Sequence, residues 1–342
     1  MNEKIDIYFI AKEAKVSPST VSRVFNRSEL VNEKTRSKIL KVCEEYDYKP
    51  SIVASSMRTN RTKYIGFVVP NMTNPFFFEL LRGAEGYASK KDYYLVVFNS
   101  ENNYEKELVF LDAIFKRRID GIIISGIAGG KKDNFFVKEI LKKKLPCMLV
   151  DRYVEGVKMP SVITNNFKGG MLAANYLSSI NNIKIGIITF GLKIRIINDR
   201  YMGFKKILEE NKLEEKFLIE IPADTNDILD YLVKNKDIIL KSKVDAIFCL
   251  SDFIAIYLIE FLNMQNIKIP DEISIIGFDN IVYASFVKPK LTTIAQDIYQ
   301  MGNLACEMLL NNINENNGYN KLRVRNKILE PKLIIRESCM SR

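Results

Sequence analysis

The chain has 342 residues, of which 47% are hydrophobic and 27% charged; this is the composition of a globular protein with room for two or three domains, not of a disordered chain. It has no histidine, and its five cysteines (Cys43, Cys147, Cys249, Cys306 and Cys339) show neither paired nor metal-ligand spacing, which argues against Ser-His or Cys-His nucleophiles, zinc sites and disulfides, and leaves no metal or other cofactor expected. The net charge is +10, and residues 1–63 carry 13 Lys and Arg against 8 Asp and Glu while residues 64–342 carry 38 against 33, so half of the excess lies in under a fifth of the chain and a polyanion contact is expected there.

The opening MNEKIDIYFIAK has no apolar run suited to a signal peptide, and no stretch of the chain reaches the roughly 18 apolar residues of a membrane span. A cytoplasmic protein without a membrane partner is expected. Asp6 can cap a helix whose Ile7, Ile10, Ala11 and Ala14 share one face. After a turn at Lys15-Val16, Ser17 reads as an N-cap and Pro18 as a first helical residue. The second helix, Pro18 to about Phe25, turns Val21 and Val24 inward and shows Ser19, Thr20, Ser22 and Arg23 on its other face. Short hydroxyl side chains allow close approach to a DNA groove, and Arg23 could reach a base or phosphate. A third helix is expected from Asn32 to Tyr46, with Ile39, Leu40 and Cys43 buried. On these residues alone, a plain three-helix bundle with a solvated polar face stays an alternative.

From Tyr64 the pattern changes to short apolar runs alternating with helix-length segments. YIGFVV, YYLVVF, DGIIIS and PCMLV are separated by 75–90, 104–117 and 131–144. A second series follows: IKIGIIT, KFLIEI, VDAIFCL and ISIIGFD, with helices through 200–211, 227–241 and 252–265. Continuous apolar strands, each followed by a helix, predict parallel sheets covered on both faces, and so two doubly wound lobes. Ligands of such folds bind beyond the carboxyl ends of the strands.

The ordered motifs AKxAxVS (11–17), TVSRVFN (20–26), VNxxTR (31–36) and YxP (48–50) closely resemble the DNA-binding head of the LacI/GalR family of bacterial regulators. Beyond them, IGFVVPNMTNPFFFELLRGAE (65–85), VITNNFKGG (162–170), DRYMGF (199–204), IPDEISIIGFDN (269–280), PKLTTIAQD (289–297) and LIIRES (333–338) follow in family order, so the resemblance covers essentially the whole chain. It implies an α/β protein: a three-helix helix-turn-helix head on a two-lobed, periplasmic-binding-protein-like domain with two doubly wound parallel sheets. The expected division is a head at 1–49, a hinge helix or linker at 50–62 and an effector-binding domain at 63–342. Within the last, the N-lobe would hold about 63–162 and 292–322, and the C-lobe about 163–291 and 323–342.

The resemblance also implies site residues. Pro18, Ser19 and Arg23 would face bases, and Tyr8, Thr20, Ser22 and Asn26 the phosphate backbone, with Ser17 at the helix start in the same set. In PSIVASSM (50–57), Ala54 is retained from the family's hinge, Ser51 replaces its Asn, and Met57 stands where its Leu wedges a central minor-groove step. Met is apolar but less rigid, and a flexible Ser-rich linker remains the alternative there. For the effector, Asp151, Asp279 and Arg200 fall at the family's ligand positions. Ser125 and Ser251 hold matching strand ends, Ser251 in place of the usual Asn. Phe76 and Phe77 could stack on a sugar ring. Arg195, in a loop near Arg200, would suit an acidic or phosphorylated sugar, whereas Asp252 reads as a cap and Arg152 as a solvent-facing or ion-paired residue.

The function so implied is a repressor of a carbohydrate-utilisation operon, not an enzyme. As a homodimer it would bind a pseudo-palindromic DNA operator and respond to a small sugar, sugar acid or sugar phosphate. No heptad-patterned tail follows IIRES, so a dimer is the expected assembly. A transport or sensing protein that never meets DNA would need a secretion signal in place of the head. A sugar or nucleotide enzyme would need chemistry that the missing histidine and the missing GxxxxGK[ST] loop withhold.

Overall fold

The computed structural model describes residues 5–26, 28–48, 61–117, 119–126, 133–154, 159–222, 225, 227–314 and 326–342. The chain divides into two compact units, 1–62 and 63–342. The expected hinge contacts Ala54 and Met57 lie outside the described residues, as does the side chain of Asn26.

The head unit is built of α1 (Ile7–Glu13), α2 (Pro18–Asn26) and α3 (Glu33–Glu45). Asp6 caps α1 by accepting from the Tyr8 and Phe9 amides at 2.9 and 3.0 Å, and Asn32 caps α3 through the Lys34 amide. Ile10, Ala11 and Ala14 pack with Val21, Val24, Ile39 and Cys43 in one core. Each large aliphatic so buried stabilises the head by roughly 1.5–3 kcal/mol. Leu40 departs from its expected place and is 40% exposed. Ile39 and Cys43, one turn apart, define the buried face of α3, and Leu40 lies about 100° round from Ile39.

The second unit holds two six-stranded sheets. The first contains β1 (Tyr64–Val69), β2 (Tyr94–Asn99), β3 (Gly121–Ile124), β4 (Cys147–Val150), β5 (Ser161–Thr164) and β11 (Asn326–Leu329), in the order β11-β5-β4-β3-β1-β2. The second contains β6 (Lys184–Phe190), β7 (Glu214–Ile221), β8 (Ala246–Cys249), β9 (Ser274–Asp279), β10 (Thr292–Ala295) and β12 (Lys332–Ile334), in the order β12-β10-β9-β8-β6-β7. Helices α4 (Pro75–Ala88), α5 (Tyr104–Arg117) and α6 (Asp133–Lys142) accompany the first sheet, and α7 (Asn166–Ser179), α8 (Arg195–Glu210), α9 (Ile228–Lys234), α10 (Lys236–Lys241) and α11 (Asp252–Met264) the second. Then α12 (Ile298–Asn314) packs back into the first lobe against Ile65, Phe67 and Leu80.

Three details differ from expectation. The lobes exchange chain after β5, β10 and β11, near residues 165, 296 and 330, rather than at 162/163, 291/292 and 322/323. Parallel strands run to their carboxyl ends before the chain leaves the sheet, so the crossings gather at that edge. Strand β12 is antiparallel to β10: only Glu330 and Pro331 separate it from β11, so the chain re-enters from the crossing edge and must run away from it. Helix 227–241 is divided, because Asn235 leaves the helical region at φ −99°, ψ 12°. Among the described residues, no helix is long and apolar enough to cross a membrane.

Each lobe has one close helix crossing through glycine: a methyl group at Gly83 of α4 would overlap the Tyr299 carbonyl of α12, and one at Gly170 of α7 would overlap the Arg200 carbonyl of α8. Gly83→Ala should therefore cost about 1–3 kcal/mol through forced separation of the helices. Gly191→Ala is the control, since a methyl there meets nothing closer than the Ile194 side chain at 3.5 Å, and it should stay within about 0.5 kcal/mol of wild type. Urea unfolding of the two variants checks this; equal stability would dismiss the crossing as a constraint.

Candidate functional site

In the head, one Ser17 hydroxyl gathers the start of α2. Its Oγ accepts from the Thr20 amide at 3.2 Å and lies 2.7 Å from Ser19 Oγ and 2.8 Å from Thr20 Oγ1. Val21 and Val24 turn into the core, and this leaves Ser19 and Arg23 exposed with Thr20, Ser22 and Pro18 half-buried beside them. Tyr8, 70% exposed, projects from α1. The turn before α2 is tight: Lys15 is left-handed at φ 52°, and the Val16 amide donates to the Ala11 carbonyl at 2.9 Å. Two helices joined by such a turn, the second polar and small on its outer face, form a helix-turn-helix.

In the second unit, residues at the carboxyl ends of the strands line a cleft between the lobes. Phe76, Phe77, Ser125, Asp151, Arg200, Ser251 and Asp279 all line it. They come together because the sequence places them just beyond β3, β4 and β8, at the last residue of β9 or in the first turn of α4. Arg200, although on α8, is drawn in by packing: its Nε donates to Asn166 Oδ1 at 2.8 Å, its Nη1 donates to the Leu250 carbonyl at 2.7 Å and lies 3.2 Å from Asp279 Oδ1, and its guanidinium stacks 3.9 Å from the Phe278 ring centre. Asp279 also accepts from Gln296 Nε2 at 2.7 Å and from the Ser251 hydroxyl at 3.2 Å. Phe76 is shared with the core of the first lobe and meets Phe77 edge to face at 5.1 Å.

Arg195 is the exception. It opens α8 rather than sitting in a loop, is exposed, and lies 4.7 Å over the Tyr153 ring; it is not among the lining residues. Helix α8 starts early because Ile196, Ile197, Arg200 and Phe204 form one buried helical face. Arg152, expected as a solvent-facing or ion-paired residue, is buried and lines the cleft, which leaves the first alternative aside. Asp151 before it is left-handed at φ 51°, a conformation Asp tolerates better than most residues, and it redirects the chain. Asp252 is structural, accepting from the Ile281 amide and the Thr293 hydroxyl. Phe190, Phe253 and Ile194 were missed, although Phe190 ends β6 and Phe253 follows a strand-end serine, the same positional signal that marks the polar set.

The charges of the cleft are unequally held. Burial pushes the Asp279 carboxyl above its ordinary range, while Arg200, Gln296 and Ser251 oppose the shift. Burial raises Asp151 further, to about 7, with Arg200 opposing, Asp279 adding to it, and Arg152 opposing. Asp151 Oδ1 and Ser125 Oγ, both buried, have no hydrogen-bond partner among the described residues. These are acceptor and hydroxyl groups shaped for a polar ligand.

A helix-turn-helix on one unit and a polar interlobe cleft in the other define a ligand-responsive, DNA-binding regulator. Residues 6–51 match the model of bacterial regulatory proteins of the lacI family, and residues 184–339 a periplasmic binding protein-like domain. The chain is 34% identical over 336 residues to the ribose operon repressor of Haemophilus influenzae, covering 97% of this chain and 98% of that one, and 34% identical over 338 residues to the HTH-type transcriptional regulator RegA of Clostridium saccharobutylicum, covering 96% and 97%. A LacI family transcriptional regulator of Enterococcus faecalis with bound ribose superposes with a TM-score of 0.70 at 30% identity over 81% of this chain and 98% of that one. The lac repressor dimer bound to operator and the anti-inducer ONPF shares the fold over 99% of this chain and 100% of that one, with a TM-score of 0.83 at 20% identity. The chain belongs to the lacI family of bacterial regulatory proteins; it is a transcriptional regulator, not an enzyme.

The raised carboxyl sets a test with a definite sign. Because Asp151 binds its proton more tightly folded than unfolded, its contribution to stability is complete below about pH 4 and is lost as pH rises through about 7. Asp151→Asn, which imitates the protonated acid, should stabilise the ligand-free protein by about 1–3 kcal/mol at pH 8 and by much less at pH 4. Thermal melts at both pH values read it; an equal gain at each would show that Asp151 is not the titrating group.

Proposed function

We propose that this regulator represses a carbohydrate-utilisation operon in the cytoplasm, binding a pseudo-palindromic operator as a homodimer and responding to a small sugar in the interlobe cleft. The observation that carries the effector reading is the pair of unpartnered buried groups, Asp151 Oδ1 and Ser125 Oγ, beside the fixed Arg200–Asp279 pair. Sugar hydroxyls are donors and acceptors in one, so they fit an acceptor-rich cleft whose two carboxylates face two arginines, Arg152 and Arg200. With Arg195 turned to Tyr153, a neutral sugar fits better than a sugar phosphate. Ribose is the first probe, since ribose is named for relatives at 34% and 30% identity.

Dimerisation is supported by large apolar side chains open to solvent on both lobes. Phe78 (66% exposed), Met72 and Tyr94 lie on and beside α4 and the edge strand β2, and Tyr283 and Phe286 (71% exposed) lie between β9 and β10 on the other lobe. Two heads related by a two-fold axis read an inverted repeat, and an effector coupling of about 1–3 kcal/mol would change operator occupancy roughly 5- to 150-fold. In the proposed DNA contact, Arg23 and Ser19 reach base edges and Tyr8, Thr20 and Ser22 the phosphates.

Selection from a random duplex pool by the full-length protein, with and without ribose, tests this reading. An enriched inverted repeat whose binding shifts with ribose is expected; a purine base shifting it instead would overturn the sugar assignment. Two variants should separate the functions. Arg23→Ala should weaken the selected duplex by roughly ten- to a hundredfold, the worth of a good base contact, and leave ribose affinity intact. Asp151→Asn should lose ribose and keep the duplex, and loss of both activities in either variant would refute the division of labour.

A further inference from the structure

The residue at which the second unit begins is clamped on three sides. Lys63 is left-handed at φ 65°, an unusual state for a lysine. Its amide donates to Asp120 Oδ2 at 3.1 Å. Its carbonyl accepts from the Tyr94 amide at 2.8 Å. Its ammonium stands 4.4 Å over the ring of Tyr93, which is buried. The residues gripping Lys63 lie at the amino ends of β2 and β3, at the opposite edge of the sheet from the cleft.

Asp120 leads directly into β3, whose four residues are all buried. At the far end of this strand stands Ser125, with its unpartnered hydroxyl in the cleft. Strand β3 is tied to β1 at both ends: the Asp120 amide donates to the Tyr64 carbonyl at 2.8 Å, and the Ser125 amide to the Val68 carbonyl at 2.9 Å. The span from Asp120 to Ser125, roughly 16 Å at ~3.3 Å per residue, neither stretches nor bends easily. A displacement imposed at Ser125 therefore reaches Asp120, and through it the residue that follows the linker.

We propose that Lys63, held by Asp120 and Tyr93, is the joint through which occupation of the cleft reaches the linker and the DNA-binding head, with Asp120 as the positioning residue. The proposal rests on the regulator reading above. The molecule supplies its own control. In the second lobe Asp245 makes the same grip, accepting from the Ile183 and Lys184 amides at 3.0 and 2.8 Å, and it leads into β8 as Asp120 leads into β3. There, however, the chain arrives from α7 and not from the linker. A grip that only steadies the first strand of a lobe would matter equally at both places.

The experiment uses full-length wild type, Asp120→Ala, Asp120→Asn and Asp245→Ala, with the duplex selected by wild type and ribose as probes, below the melting temperature of every variant. Asp120→Ala should keep ribose affinity within twofold of wild type yet reduce the ribose-induced change in duplex affinity to under twofold. Asp120→Asn, which keeps an acceptor for the Lys63 amide, should restore at least half of the wild-type response on a logarithmic scale, and Asp245→Ala should retain it. An undiminished response in Asp120→Ala, or an equal loss in Asp245→Ala, would overturn the joint. If ribose leaves wild type unmoved, the sugar reading fails on that control alone, and ligand-free duplex affinities decide the joint: a shift of fivefold or more in Asp120→Ala with Asp245→Ala within twofold supports it, and equal affinities sink it.

Discussion

The buried pair of Arg200 and Asp279 organises the second unit. Two ions removed from water lose several kcal/mol each in hydration, and only close geometry with further hydrogen bonds returns it. Here the geometry is supplied from many directions: Asn166 at the start of α7, the Leu250 carbonyl after β8, Ser251, Gln296 at a lobe crossing, and the Phe278 ring beneath. Elements far apart in sequence are thus tied to one point at the cleft. The approach of α7 to α8 at Gly170 is part of the same arrangement, because the atom a larger residue would strike there is the carbonyl oxygen of Arg200 itself.

With Arg200 committed to Asp279, Asp151 is left as the less compensated carboxylate. Its Oδ1 lacks a partner among the described residues, and its proton is held to about pH 7. The same strand-end geometry leaves the Ser125 hydroxyl without one. Most buried polar groups are hydrogen-bonded, and these two stand at the cleft, where a bound polar molecule would satisfy them. Both carboxylates sit on backbone with positive φ, 51° at Asp151 and 120° at Asp279. At both positions the side chain lines the cleft.

Much of this was legible in the chain because buried parallel strands announce themselves. YIGFVV, DGIIIS and VDAIFCL read as strands from their unbroken apolar character, and Asp151, Asp279 and Ser251 stood out through the family resemblance together with their place at strand ends. The head was legible through caps: Asp6, Ser17 and Asn32 each stand one residue or less from a helix start. What stayed hidden depended on direction rather than type. Arg152 and Arg195 are both arginines near the cleft, and only the left-handed turn at Asp151 and the early start of α8 decide which one enters. Leu40 and Ile39 are chemically alike neighbours, and a helix of 13 residues buries one and not the other through rotation alone. The lobe crossings were misplaced by a few residues because apolar pattern locates a strand's middle better than the point where the chain changes sheet.

The three crossings also govern what a growing chain can be at each moment of its synthesis. The described part of the head ends at residue 48, and its core, among the described residues, is built from residues between Ile7 and Tyr48. Neither lobe is a continuous segment, and β11 and β12, which supply an outer strand to each sheet, come only after residue 325. A ribosome therefore releases a finished helix-turn-helix long before either wall of the cleft is complete. A nonsense mutation anywhere between the two would leave the head whole and both sheets unfinished, separating the part that holds DNA from the part that takes instructions.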